Sequence, residues 1–480
     1  MLKEKYFARR FIMKCGFSKV CITPNVGDVM GGTYELKHAE GVLDELYARA
    51  VSFDDGEKKS IIVSLDLCYM GTEECDGARE RISHECGVDI DAIMLTCTHT
   101  HSGPLASYAM AESYSKEDKK LVFDYCAILV DRICEAARRA FDSLLPAKFY
   151  TATDKAEGIA HVRTFRMKDG SVVTNPGMDW NSSGDPITCC PIPDNTGVES
   201  PLFIPNETVK ILKIKREGGE DVCLVNFALH ATCTHLRKIS ADFPGFLCST
   251  VERAIDNVNC VFIQSAQGDV AQINRNPSDA EKRFLAEDNQ NFGETRNKAR
   301  QVGQVLAASV LKNYMTAEEV AANKISYGKK EVALPANKDD ENYEEALRVA
   351  KLHAEGRHHE LPYDGMELVT FVANAERIVR MKSAPDFFKY NFFAMAIGDF
   401  AFLGIPGEVF TEIGNMIREA SPYEHLMLCG ISNVMSTYFP GSTAQRAGGY
   451  EVVTSNIGLG SDKIIQEGTR ELLLEIKETK

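Results

Sequence analysis

Short apolar runs alternate along this chain with longer stretches whose apolar residues recur every three to four positions. Residues 59–67 (KSIIVSLDL) follow a charged turn and predict a buried strand. A helix is expected over 73–85. Residues 92–98 (AIMLTCT) predict a second buried strand, which runs straight into THTHSGP. The clearest helix of the first half covers 115–144, where Leu121, Tyr125, Ile128, Leu129, Ile133, Ala136 and Ala140 keep three-to-four spacing; Pro146 stops it. Asp169-Gly170 predicts the turn of a hairpin over 164–174. Residues 176–206, rich in Pro, Asn, Asp and Gly, predict a long loop.

Residues 209–215 alternate apolar and basic, Gly218-Gly219 turns the chain, and 222–229 return as a strand that delivers His230. A helix near 246–256, a strand at 260–264 and a long helix over 289–314 follow. Residues 336–385 are charged and helical in pattern, and predict an insertion or a lid; its adjacent His358 and His359 are expected on the surface. A hairpin over 392–403, turned at Gly398-Asp399, leads into GIPGE and a helix. Residues 426–429 predict a strand, and a last helix starts near Ser461. No internal repeat, low-complexity tract or linker breaks this order. The expectation is an α/β fold, one large domain over 1–480 with mixed β-sheets flanked by helices.

Composition narrows the function classes. The chain has 480 residues, of which 44% are hydrophobic and 26% charged, ordinary values for a globular protein. A formal charge of -15 and the lack of a basic stripe argue against nucleic acid as the main partner. No segment approaches the ~20 apolar residues of a membrane helix, so no membrane span is expected. Near the start, Phe11, Ile12 and Met13 form too short an apolar run for a signal peptide. The 15 cysteines lie scattered on apolar segments, as Cys97, Cys223 and Cys260 do, and the adjacent Cys189-Cys190 suit no ordinary bridge. Reduced, buried thiols and a cytoplasmic location are therefore expected.

Four places put reactive side chains where a strand ends and a loop begins, the usual position of sites in α/β folds. His99 and His101 stand at i and i+2 in THTHSGP and would point the same way from an extended backbone, a common presentation of imidazoles to a metal. They could equally be surface loop residues. His230 closes the strand ending FALH and could be a satisfied core histidine without chemistry; His235, five residues on, could be a supporting partner of a site residue or simply exposed. Glu408 opens a helix after GIPG, where it is a candidate carboxylate ligand or simply a favourable charge at a helix N-terminus, worth roughly 0.3–1 kcal/mol. Tyr438, and Tyr450-Glu451 twelve residues later, could be packing residues. The pairs Gly31-Gly32 and Gly448-Gly449 read as turn glycines, since no phosphate-binding fingerprint accompanies them.

Taken in order, THTHSGP after a strand, FALH at a strand end, GIPGE before a helix, and Tyr438 followed by Tyr450-Glu451 resemble the neutral ceramidases. Cys21-Ile22-Thr23-Pro24, the segment from Gly41-Val42 to Ala50, and Ser64-Leu65-Asp66-Leu67 add to the likeness, which covers about residues 16–460. The resemblance implies a ceramidase-like catalytic domain with one Zn2+ per chain, held by His99, His230, Glu408 and Tyr438. It implies that His101, Arg163 and Tyr450 are active-site residues that do not bind the ion. Two imidazoles and one carboxylate would leave the ion positive enough to lower the pKa of a water towards ~7.

The chain departs from the family in one stretch. Where ceramidases carry a serine in GDVSPN, this chain reads Gly268-Asp269-Val270-Ala271-Gln272, and Ala271 can neither attack nor donate a proton. Attack by metal-activated water is then the expected route. The chain stops soon after the Tyr450-Glu451 motif, whereas full-length ceramidases carry a further C-terminal sandwich domain. The expectation is a zinc-dependent amidohydrolase of a small-molecule N-acyl substrate. Hydrolysis of an ester or lactone, and metal or ligand binding without catalysis, are the alternatives.

Overall fold

A computed structural model describes residues 13–32, 36–177, 194–234, 237–290, 295–339, 341–363, 365–434 and 436–479. His235, Cys189-Cys190, Phe11 and Ile12, and most of the loop expected over 176–206, lie outside the described residues.

One topological unit occurs three times. Lys14–Cys21, Tyr47–Asp54 and Lys59–Leu65 form an antiparallel meander. The helix Thr72–Cys86 then crosses over, and Ile93–Cys97 returns parallel to Lys59–Leu65. Leu145–Lys155, Thr208–Arg216 and Asp221–Phe227 repeat the meander, with the helix Asp242–Ala254 and the parallel strand Val258–Gln264. Ile325–Pro335, Phe387–Ile397 and Phe400–Gly404 repeat it again, with the helix Thr411–Ala420 and the parallel strand His425–Cys429. The absence of a visible sequence repeat hid this, because the units share strand order but not residues.

The first two units join edge to edge through Lys14–Cys21 and Leu145–Lys155, and with Glu318–Val320 they make a nine-stranded sheet; the third unit is a four-stranded sheet of its own. The sheets pack face to face. Ile62, Met94, Leu224 and Val261 of the first meet Met395, Phe400, Phe402 and Met427 of the second in one core. On each strand the alternate residues face helices instead: Ile61, Val63 and Leu65 pack with Ile82 and Ile133. This is why the strands read as unbroken apolar runs, since both faces are covered.

Several expected elements appear with shifted boundaries. The helix foreseen over 115–144 spans Lys116–Asp142 with Ser115 as its cap. Its buried stripe runs through Val122, Tyr125, Cys126, Leu129 and Ile133, and Ile128 is exposed. The long helix expected over 289–314 is shorter, Asn297–Asn313, preceded by a separate helix Asp279–Gln290. The helix predicted at 246–256 starts earlier, at Asp242, because Pro244 is tolerated in a first turn. Residues 336–385, where the sequence predicts an insertion or a lid, hold two α-helices among the described residues. The helices Tyr343–Ala354 and Gly365–Met381 sit between the first two strands of the third meander and share a small core of Val349, Leu352, Val372, Ala375 and Ile378. His359 there is exposed, while His358 is half-buried and stacks on His353 at 4.7 Å. Among the described residues, no helix is long and apolar enough to cross a membrane.

Candidate metal centre

Each unit sends the end of a strand towards one point. His99 follows Ile93–Cys97, His230 follows Asp221–Phe227, and Glu408 follows Phe400–Gly404. Backbone hydrogen bonds lace these ends together. His101 N donates to Ala231 O at 3.0 Å, His230 N to Val270 O at 3.1 Å, and Gly268 N to Val409 O at 2.7 Å. The two-residue strand beginning at Glu408 lies parallel to Tyr438–Phe439, with Glu408 directly opposite Tyr438.

His99 Nε2 and His230 Nε2 lie 3.1 and 3.0 Å from the same Glu408 oxygen, Oε2. His101 Nε2 is 3.2 Å from His99 Nε2. Exposure of His99, His230 and Glu408 is 1%, 0% and 3%, so water does not screen them. The outer ring nitrogens decide what the inner atoms are. Nδ1 of His99 faces Cys68 O at 2.9 Å, Nδ1 of His101 faces Gly32 O at 2.7 Å, and Nδ1 of His230 faces Gln267 O at 2.8 Å. A carbonyl only accepts, so each Nδ1 carries a proton, and a ring that is neutral turns an Nε2 lone pair inwards. Burial alone would lower the His99 imidazolium, but Cys68 and Glu408 raise it well above its ordinary range, so without a cation His99 is the ring that holds a second proton against the Glu408 carboxylate. Burial, and then Arg163, push the His230 imidazolium down to about 3, so this ring is neutral at ordinary pH. Its Nε2 and Glu408 Oε2 are buried without a hydrogen-bond partner. Electron pairs facing one another in a dry site need a cation between them.

The donor set fits a zinc-type ion. Two donors each ~2.0–2.1 Å from one ion at tetrahedral angles stand roughly 3.3 Å apart, close to the separations found here. Carbonyl partners on Nδ1 are the usual outer support of metal-binding imidazoles. Cys68 adds a thiol 3.6 Å from His99 Nδ1, and Cys68, His99 and His101 form a second group with metal-ligand spacing.

The two histidines of THTHSGP do not project from an extended backbone as expected. His99 has φ 68, in the left-handed region, and this turn brings the rings together edge to face at 4.7 Å. Gly32 also has positive φ, and a Cβ there would stand 2.9 Å from Cys68 Sγ and 3.1 Å from His101 Nδ1. Glycine is what lets its carbonyl reach His101.

Arg163, Tyr438 and Tyr450 stand together at the edge of this cluster. Arg163 Nη2 donates to Gly268 O at 2.7 Å and to Tyr438 Oη at 3.4 Å. Its Nε pairs at 2.7 Å with Glu451, which is 1% exposed. Burial alone would weaken the guanidinium's charge, but Glu451, Tyr438 and Glu408 outweigh it. Burial, then the Glu408 carboxylate, raises the Tyr438 phenol well above its ordinary range, so without a cation it is an O–H donor. The Tyr450 ring stands 6.4 Å from that of Tyr438. Thr174 Oγ1 donates to Glu451 Oε2 and accepts from Tyr450 N, each at 3.0 Å.

Ala271 pairs with His161 beside this network, one residue from the Val270 carbonyl that holds His230. Reasoning from sequence missed the supports: Cys68, Gly32 and Gln267 act through backbone carbonyls, which leave no mark in residue type. Asp269 was legible only as part of a motif. It is fully buried, and its Oδ1 accepts from Thr411 N at 2.8 Å and Oγ1 at 2.9 Å.

Residues 13–176, which include His99, His101 and Arg163, match the family described as neutral/alkaline non-lysosomal ceramidase, N-terminal. This segment belongs to the neutral ceramidase family. The ceramidase fold extends over the rest of the chain. A crystal structure of neutral ceramidase from Pseudomonas aeruginosa superposes with a TM-score of 0.68 at 17% identity, over 98% of this chain and 75% of that one. A ceramidase complexed with C2 gives a TM-score of 0.67 at 17% identity, over 98% and 76%. The mixed sheets flanked by helices foreseen from the sequence are thus the ceramidase architecture. His230, Glu408, Tyr438 and Tyr450 lie beyond the matched segment, in the part related by fold.

Proposed function

We propose that this chain is a zinc-dependent hydrolase of the amide bond in a small N-acyl compound. The observation that carries the reading is the buried meeting of His99 Nε2, His230 Nε2 and Glu408 Oε2 at 3.0–3.1 Å, a group with metal-ligand spacing in which His230 Nε2 and Glu408 Oε2 have no hydrogen-bond partner. His99, His230 and Glu408 would hold the ion and Tyr438 would close the set, one ion per chain. When bound, zinc there polarises a carbonyl and brings the pKa of a water into the neutral range.

The chain's own residues supply the rest. Arg163 presents a donor beside the cluster and holds the oxygen of the scissile carbonyl as its charge grows. His101 keeps its Nδ1 proton on Gly32 O, which leaves Nε2 as the base that takes a proton and passes it to the departing amine. Tyr450 sits next to Tyr438 and completes that wall. The serine route is closed at Ala271, so water is the nucleophile. An amide substrate agrees with the family of residues 13–176.

Metal analysis of the purified chain beside a panel of N-acyl substrates tests this. About one zinc per chain, lost in His230→Ala, with turnover of one or more panel members is the expected result. A wild-type chain that neither holds zinc nor takes it up would overturn the assignment, and zinc without turnover would move it to ester hydrolysis or to binding alone.

A further inference from the structure

Tyr450 has a second environment besides its contact with Tyr438. It lines a pocket of about 260 Å³. One wall comes from the body of the fold, where Val173 lies on the strand Val172–Thr174 and Val453 on the helix Tyr450–Thr454. The facing wall comes from the insertion, as Tyr363 and Phe371, whose rings meet edge to face at 4.9 Å. Glu367, an exposed carboxylate, also lines it.

The insertion is fixed in this position. Arg377 on the helix Gly365–Met381 donates from Nε to Val453 O at 2.6 Å and from Nη1 to Asn337 O. Phe371 packs onto the insertion's own core, while Tyr363 is 44% exposed at the outer end of the aromatic wall.

We propose that this pocket receives the acyl group of the substrate, one uncharged apolar group of limited size, and that the insertion sets that size. The inference rests on the amide-hydrolase reading above. With Arg163 on the carbonyl oxygen, Tyr450, which stands against Tyr438 and also lines the pocket, is the side chain that leads from the cluster into it. Pockets for drug-sized ligands measure ~300–1,000 Å³, and this one falls just below them. A single medium-length chain or an aromatic acyl group fills it; a lipid with two long chains does not. The Glu367 carboxylate repels acyl groups that end in an acid.

The test has two arms on the full chain as purified. Calorimetry measures binding of acetate, octanoate, hexadecanoate and succinate, as product carboxylates, to wild type and to Val173→Phe, Phe371→Trp and Phe371→Ala. Octanoate should bind best to wild type. Val173→Phe and Phe371→Trp, which fill the pocket from opposite walls, should weaken octanoate about tenfold and leave acetate unchanged. Phe371→Ala should move the preferred length upward. The second arm follows hydrolysis of N-acyl p-nitroanilides of the same lengths. An identical chain-length profile in all four proteins would overturn the pocket assignment, and turnover in that case leaves the hydrolase reading standing. A shifted binding profile with no turnover of any amide supports the pocket and sinks the amide reading instead.

Discussion

Glu451→Gln keeps the size of the side chain and removes its charge. The carboxylate is 1% exposed, lies 2.7 Å from Arg163 Nε, and accepts from Thr174 Oγ1 at 3.0 Å. Two unit charges about 4 Å apart attract by ~4 kcal/mol at an effective dielectric of ~20, and removing one partner of a buried pair costs about 3–5 kcal/mol. Glutamine still offers Thr174 an oxygen, so the lower end applies, about 3 kcal/mol. The melting temperature changes by roughly 2–4 °C per kcal/mol for 150–250 residues and by less in a longer chain, so a fall of about 3–6 °C is expected. Arg163 keeps Gly268 O through Nη2 but loses the anchor on Nε. The guanidinium then swings off Tyr438, and turnover of the N-acyl substrate drops by about tenfold, which is ~1.4 kcal/mol of transition-state stabilisation. Zinc content stays at the wild-type level, because Glu451 is not among the proposed ligands. Differential scanning fluorimetry, metal analysis and steady-state kinetics read the three effects separately. A double-mutant cycle with Arg163→Gln should show a coupling of about 2 kcal/mol. A melting temperature within about 1 °C of wild type, together with unchanged turnover, would refute the reasoning, as would a cycle without coupling.

Asp269 supplies a pH test. Burial pushes its carboxyl up to about 6 despite the two hydrogen bonds from Thr411, against ~3.9 in the unfolded chain. A raised pKa means the native state holds the proton more tightly, so its favourable contribution is full below pH ~4 and is lost as pH rises through 6, by about 3 kcal/mol. Asp269→Asn should therefore gain stability over wild type between pH 5 and 8 and little below pH 4; a difference in melting temperature that ignores pH would contradict this. Gly407→Ala places a Cβ into the Phe439 ring and the Thr437 carbonyl that receives Glu408 N. It should lose zinc while circular dichroism stays native, and wild-type zinc content would show that Glu408 is held by other means. Ala271→Ser adds a hydroxyl at a site 4% exposed and should leave turnover unchanged; a gain of about tenfold or more would show that a serine route was missing rather than unnecessary.

Local pattern carried a good part of this molecule. The strands at 59–67 and 92–98, the hairpin turned at Asp169-Gly170 and the helix after Ser115 are set by periodicity, turn residues and caps, all of which act over a few positions. The same locality explains the errors. Ile128 keeps the spacing of a buried residue yet faces solvent, because the neighbouring Leu129 already fills the contact with the sheet, while Val122 packs with Val29, Leu105 and Ala111. Nothing near 289–296 marks where the helix Asn297–Asn313 begins, since Arg296 enters it in the left-handed region without a side-chain cap.

By itself the sequence determined which residues could bind a cation and that each would sit at a strand end. It could not determine that the donors meet. His99, His230 and Glu408 lie far apart along the chain and converge because three copies of one strand order aim their ends at one point. Tertiary structure also decided the chemistry of each imidazole. The carbonyls of Cys68, Gly32 and Gln267 take the Nδ1 protons and so turn the Nε2 atoms inwards. A backbone carbonyl is the same group in every residue, so its direction, and with it the charge state of the site, is set by the fold.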